Sequence, residues 1–188
     1  MTSVLHVLAG PHGSGKTTFV ERILQPATHL PFVNADSMAA TIWPGEEEAH
    51  GHEASKLAVR KREQPLNTRS SFITETVFSH PSKVDLVSRA SLLRYQITLH
   101  VILVPLDQAL VRITERVPLG GRSVPPEEIA GRYERLWRYV AQARRFADET
   151  HIYDNSLARH PFRLVAEYRH GVLMRETRWP QWAPDDIR

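Results

Sequence analysis

Nine residues, Gly10-Pro11-His12-Gly13-Ser14-Gly15-Lys16-Thr17-Thr18, narrow the fold of this chain more than any other stretch. They follow an apolar run, Val4-Leu5-His6-Val7-Leu8-Ala9, that reads as a buried strand. They lead into a segment, Thr17 to Leu24, where Phe19, Val20, Ile23 and Leu24 recur at helical spacing. Two glycines framing four residues, with Lys-Thr behind the second, make a phosphate-binding loop when a strand enters and a helix leaves. Gly10, Gly13 and Gly15 let the backbone approach a polyphosphate with no Cβ in the way, and the helix beginning near Lys16 aims its N–H groups at the anion. Lys16 is placed to neutralise the β and γ phosphates, and Thr17 to offer its hydroxyl to Mg²⁺, a cation that keeps most of its sites for water and phosphate oxygens. The expected nucleotide-binding set is therefore Gly10, Pro11, His12, Gly13, Ser14, Gly15, Lys16, Thr17 and Thr18.

Such a loop belongs on a parallel sheet, and the chain supplies the strands. Pro31 to Asp36 reads as a second strand and its carboxyl-end loop, Ser71 to Val77 as a third, Ile97 to Leu106 as a central fourth, and His151 to Asn155 as a fifth. Leu164 to Glu167 and Val172 to Glu176, around His170-Gly171, read as a terminal hairpin. The fold class expected is α/β: a P-loop NTPase three-layer sandwich with a mostly parallel five-stranded sheet, a lid at about 118–132 and a C-terminal β-hairpin and tail at about 162–188. At 188 residues, 41% of them hydrophobic, a single domain over 1–188 is the working expectation. Tail residues Trp179 and Trp182 are expected to cap a core edge.

Ligands of open parallel sheets sit beyond the carboxyl ends of the strands, which directs attention to two acidic residues. Asp36 follows the second strand and suits either a site carboxylate or the N-cap of a helix starting at Ser37. Glu75 interrupts an apolar strand, where a carboxylate is costly unless paired; it is either the partner of an arginine or part of the site. Asp107 reads as a helix N-cap, and His50 and His52 as a solvated loop with no carboxylate or cysteine at metal-ligand spacing.

Pro118-Leu119-Gly120-Gly121-Arg122-Ser123-Val124-Pro125 is a cationic hinge between two helices. Arginines concentrate from Arg112 to Arg145, yet the net charge of +3 is modest, and charge alone does not choose between a lid, a solvated helix and a nucleic-acid face. The chain has no cysteine, so disulfide frameworks and thiolate metal sites are excluded. No apolar run approaches the ~18 residues of a membrane span, no signal peptide precedes the first strand, and a cytoplasmic protein without a membrane partner is expected.

Taken in order, GPHGSGKTT, FVNAD, FITET, RVPLGGRSVPPEEIAGRY and IYDN resemble the zeta-toxin family of P-loop kinases, in its compact bacterial branch of predicted ATPases. The resemblance runs from Val4 to about Ala166. It implies an ATP- or GTP-dependent, Mg²⁺-requiring kinase of a small hydroxyl-bearing acceptor, a sugar nucleotide such as UDP-N-acetylglucosamine being the family's best-described one. It also implies an antitoxin protein as a possible partner, while a nucleic-acid partner is not expected. Residue by residue, Lys16 and Thr17 match the loop lysine and the magnesium hydroxyl, Asp36 the base after the second strand, and Glu75 the acidic strand-end residue, the last two contacting the acceptor. Arg116 and Arg122 are the nearest matches to the catalytic lid arginines, and Arg132 is a third candidate at the acceptor. The branch usually has Gly-Gly-His before Val-Pro, where this chain has Arg122, and a doubled arginine before the tyrosine, where it has Gly131-Arg132.

Overall fold

A computed structural model describes residues 2–47, 49–116 and 125–188, with the backbone alone at Arg116. The chain forms β1 (Val4–Ala9), α1 (Lys16–Phe19), a π-helical turn (Val20–Leu24), α2 (Gln25–Thr28), β2 (Phe32–Val33), α3 (Ala35–Ile42), α4 (Gly51–Thr68), β3 (Phe72–Thr76) and α5 (Ser82–Leu92). It continues through β4 (Gln96–Leu103), α6 (Leu106–Arg116), α7 (Pro126–Ala143), a 3₁₀ turn (Arg144–Phe146), β5 (Glu149–Asp154), β6 (Arg163–Arg169) and β7 (Val172–Leu173).

All the strands among the described residues join one seven-stranded sheet in the order β2-β3-β1-β4-β5-β6-β7. Neighbours among β1 to β5 pair parallel, and β6 and β7 add on antiparallel. The five parallel strands match the sequence expectation, but the terminal hairpin is not an appendage: its first strand pairs with β5 from Glu149↔Arg169 to Asp154↔Arg163, making one sheet of seven. Alternation explains the two faces. Leu5, Val7 and Ala9 of β1, with Ile97, Leu99, Val101 and Leu103 of β4, enter a large core shared with α4, α5 and α7. Leu8 and Ile102, one register step away, meet Phe19, Val20 and Leu24 on the opposite face. The sheet is thus sandwiched between helices, and Trp179 and Trp182 pack against the edge of the larger core.

Several boundaries differ from the sequence reading. β2 shrinks to two residues because Asn34 already caps α3, its side chain accepting from the N–H groups of Asp36 (2.6 Å) and Ser37 (3.2 Å). Asp36 therefore lies in the first turn of α3 and is not its cap. Asp107 likewise sits in the first turn of α6 rather than at its cap. α7 ends at Ala143, and Glu149 opens β5.

Candidate phosphate and carboxylate cleft

The order of strands fixes where a ligand can go. β1 lies between β3 and β4, so the connections leaving it and β3 diverge to opposite sides, and the loop after β1 opens at the carboxyl-end crevice. There the loop bends through positive φ at Gly10 (154°), Gly13 (71°) and Gly15 (91°). Two of these glycines are obligatory for space as well: a Cβ at Gly10 would stand 2.5 Å from the Ile102 carbonyl oxygen, and one at Gly15 would stand 2.7 Å from Asn155 Nδ2. Lys16 is buried, and its Nζ donates to the Pro11 carbonyl at 2.9 Å, so the ammonium lies folded across the loop.

The loop forms one wall of a cleft of about 630 Å³. His12, Gly13, Gly15, Lys16, Thr17 and Thr18 line it, while Gly10, Pro11 and Ser14 are buried beneath. Asp36 and Glu75 line the same cleft from α3 and β3. Thr17 Oγ1 donates to Glu75 Oε2 at 3.0 Å, so the acidic strand-end residue meets the loop and, among the described residues, no arginine pairs with it. Burial pushes the Glu75 carboxyl above the usual carboxylate range, against the opposing pull of Lys16 and the Thr17 hydroxyl; the negative charge of Asp36 raises it further. Asn34 Nδ2 also favours the ionised form of Glu75, yet it stops short of hydrogen-bond geometry and remains buried without a partner.

The expected arginines divide. Arg132 of α7 reaches the loop, its Nη1 donating to His12 Nε2 at 3.0 Å while Nη2 pairs with Glu128; it does not line the cleft. Arg122 lies outside the described residues, as does the side chain of Arg116, although the backbone of Arg116 ends α6. The residue missed by sequence reasoning is Arg112. It lines the cleft and braces the loop, with Nη1 donating to the Gly13 carbonyl (3.3 Å) and Nη2 to the Asn155 carbonyl (2.9 Å). Asn155 completes the brace by donating from Nδ2 to the Ser14 carbonyl at 2.9 Å. The available signal was Arg112's place beside buried Ala109 and Ile113, an inward face for a charge.

The donor set suits a magnesium nucleotide: one ammonium, a hydroxyl beside a carboxylate, and a glycine-shaped backbone cradle, which together offer a hard cation and a polyphosphate the oxygen and N–H partners they take. Among the described residues no group of three or more His, Cys, Asp or Glu is arranged to hold a metal ion by itself. His50 stacks on Trp43, with ring centroids 4.4 Å apart, and lies 3.5 Å from Glu46. No helix among the described residues is long and apolar enough to cross a membrane.

A glycine-rich loop between β1 and a helix at the switch point of a mostly parallel sheet defines the P-loop NTPase class. Within it, the zeta toxin family model matches residues 2–160, and the chain belongs to that family. No curated protein sequence gives a significant match. Solved structures share the fold at low identity. A chain of the AvrRxo1-ORF1:AvrRxo1-ORF2 complex with sulphate ions superposes with a TM-score of 0.68 at 18% identity, covering 92% of this chain and 60% of its own. A structure of the same complex with ATP gives 0.63. The PezAT chromosomal toxin-antitoxin system of Streptococcus pneumoniae gives 0.57 at 13% identity, covering 81% of this chain and 68% of that one. The Pnkp1/Rnl/Hen1 RNA repair complex gives 0.59 at 20% identity, covering 74% and 45%. The chain thus spans 60% of the length of the AvrRxo1 chain it matches.

Proposed function

We propose that the protein is an ATP- or GTP-dependent kinase that moves the γ-phosphoryl group to a hydroxyl of a small acceptor, a sugar nucleotide such as UDP-N-acetylglucosamine being the first candidate. The observation that carries this reading is the meeting of Lys16, Thr17, Glu75 and Asp36 in one cleft beside the phosphate loop. Lys16 swings from Pro11 onto the terminal phosphates. Asp36, in the first turn of α3, accepts a hydrogen bond from the acceptor hydroxyl and takes its proton as the new P–O bond forms and the bond to the β-phosphate oxygen breaks. In a loose transition state that proton leaves late, so orienting the hydroxyl counts for more than basicity. Glu75 and Thr17 hold the metal end of the cleft, and Mg²⁺ there would neutralise charge on the β and γ oxygens. Arg112 and Arg132 keep the loop in shape, and the lid arginines, Arg116 and Arg122, add positive charge at the moving group.

Family membership and the toxin-antitoxin neighbour support a partner protein as well. The test is a transfer screen with labelled γ-phosphate against sugar nucleotides, nucleosides and aminoglycosides, with Lys16→Ala as control. Label should appear on a hydroxyl acceptor with the native chain alone. Tight nucleotide binding with label released only as inorganic phosphate, whatever acceptor is added, would leave a nucleotide-binding toxin component and overturn the kinase.

A further inference from the structure

The far wall of the cleft carries two cations that the phosphoryl-transfer reading does not use. Arg62 of α4 is 6% exposed and Lys83, in the first turn of α5, is half-buried, and both line the cleft opened by Lys16 and Glu75. Arg62 is fixed by one hydrogen bond, Nε to Thr74 Oγ1 at 2.8 Å, and Thr74 in turn donates to the Val33 carbonyl at 3.0 Å. That arrangement turns the guanidinium into a fixture of the β2–β3 floor. Its two terminal nitrogens make no hydrogen bond among the described residues, nor are they sealed from solvent as orphaned buried atoms.

A buried cation ordinarily has a carboxylate beside it, because desolvating a charge without one is expensive. Among the described residues neither Arg62 nor Lys83 has one. Glu63 of α4 is held by Arg89 of α5, whose Nη1 donates to both its oxygens at 2.8 and 2.7 Å, and Asp85 is exposed. Across the cleft Glu75 feels Lys16 and Asp36, not this pair. Instead the two cations oppose each other: burial and the neighbouring Arg62 charge hold the Lys83 ammonium down at about 8. The position is unfavourable on a third count, since a lysine in a first helical turn meets the positive end of the helix dipole.

Two cations that line the cleft with no carboxylate paired to them among the described residues, their mutual repulsion unrelieved, need an anion. We infer that Arg62 and Lys83 form an acceptor-anchoring subsite for a phosphate or phosphate ester, separate from the phosphate loop. The inference rests on the kinase reading for its role: the acceptor is an alcohol whose phosphate is held at Arg62 and Lys83 while its hydroxyl reaches Asp36. A planar guanidinium beside a point-charge ammonium suits a multiply charged tetrahedral anion better than a single carboxylate. Nothing in the family match or the structural neighbours assigns a role to either residue.

The test is a binding measurement, so it does not depend on turnover. Inorganic phosphate is titrated by calorimetry into the full chain saturated with magnesium and adenylyl imidodiphosphate, which occupies the phosphate loop. The native chain should bind one further phosphate, Lys83→Met should weaken that event by about tenfold or more, and the affinity for the nucleotide analogue should be unchanged. Acetate should bind at least tenfold more weakly than phosphate. Because inorganic phosphate is already a dianion above pH 8, its native affinity should fall as pH rises from 8 to 9.5 while that of Lys83→Arg holds, since arginine stays charged. No second phosphate event, an unaltered one in Lys83→Met, parallel pH curves for the native chain and Lys83→Arg, or acetate binding as tightly as phosphate would each overturn the subsite. Failure of the nucleotide analogue to bind would overturn the kinase reading alone, and phosphate titrated into the unloaded protein would still show whether Lys83→Met removes a site.

Discussion

At Glu75 the protein keeps a carboxylate where burial disfavours its charge, and such a cost is tolerated where the charge has work to do. The sign of the effect follows from linkage. Because the folded-state carboxyl is raised above its unfolded value, the native chain holds the extra proton, and stability declines as pH rises through the window between the two values. Glu75→Gln should therefore melt at a higher temperature than the native chain at pH 7, with the gap closing as pH falls below that window, while phosphoryl transfer drops; a lower melting temperature at pH 7 would mark Glu75 as a structural group. Asp36 makes a second residue-scale test. Since Asn34 already caps α3, Asp36→Asn should leave thermal stability and nucleotide affinity nearly unchanged and lower kcat by ~10² or more. Asn34→Ala should do the reverse, costing ~1 kcal/mol of stability on capping alone, as read by urea unfolding. In the sequence, Asp36 suits a cap well enough to put the helix start at Ser37, and the capping role of Asn34, two positions earlier, shows only in the structure. Lys16 and Thr17 were legible because their motif specifies its own geometry. Arg62 and Lys83 were not, because a basic residue on a polar helix carries no local sign of which way it faces; Arg112 had such a sign in its neighbours Ala109 and Ile113.

The elements around the loop act as a brace, and its parts lie far apart in the chain. The carbonyls of Gly13 and Asn155 are drawn together by Arg112 of α6, and the Ser14 carbonyl is held by the Asn155 side chain just beyond β5. The Asp154 carboxylate, held low against the upward push of burial by the hydroxyl and N–H of Ser156 and by Arg163, fixes the turn that carries Asn155. This division predicts different kinetic outcomes for loop and brace. Gly15→Ala meets both a positive φ and Asn155 Nδ2 at 2.7 Å, so it should lose nucleotide binding together with on the order of 1–3 kcal/mol of stability. Arg112→Lys keeps the charge but cannot span two carbonyls with one planar group, so KM for nucleotide should rise several-fold with little change in kcat. Equal KM values for the native chain and Arg112→Lys in steady-state assays would show that Asn155 holds the loop unaided. Motif reading reached the loop and the IYDN segment separately, and only the parallel pairing of β4 with β1 on one side and β5 on the other, which no local pattern encodes, brings them together.

Across the whole molecule, the seven-stranded sheet carries an uncommon feature on the face covered by α1. His6 of β1, His100 of β4 and His151 of β5 stand side by side, with His6 Nδ1 and His100 Nε2 3.0 Å apart and the His100 and His151 rings at 5.7 Å. Phe19 and Tyr153 close over His100, which is 4% exposed, while Glu149 and Glu167 approach His151 at 3.7 and 4.0 Å. Apolar runs in the sequence marked these strands correctly, but only the pairing shows that His100 lies opposite His151 and that His6, two residues before Leu8, the partner of His100, is its diagonal neighbour on the same face. Burial, with the neighbouring histidines, holds His100 well below its ordinary range. His6 is lowered by burial and His151, against a smaller opposing pull from Glu149. Groups lowered in the folded state bind fewer protons there than in the unfolded chain, so their contribution to stability is complete above about pH 6.5 and is lost as pH falls below it. Each histidine kept neutral costs at most about 1.4 kcal/mol per pH unit in that range. Glu75 acts in the opposite sense, which makes the comparison of slopes more informative than any single value. Urea unfolding of the native chain between pH 7.5 and 5 should show stability falling steeply below 6.5. His100→Phe, which preserves an aromatic ring between Phe19 and Tyr153, should show a slope shallower by up to one proton, even though its stability at pH 7.5 differs. If the two slopes coincide, the acid sensitivity belongs to other groups and the histidine row is inert packing.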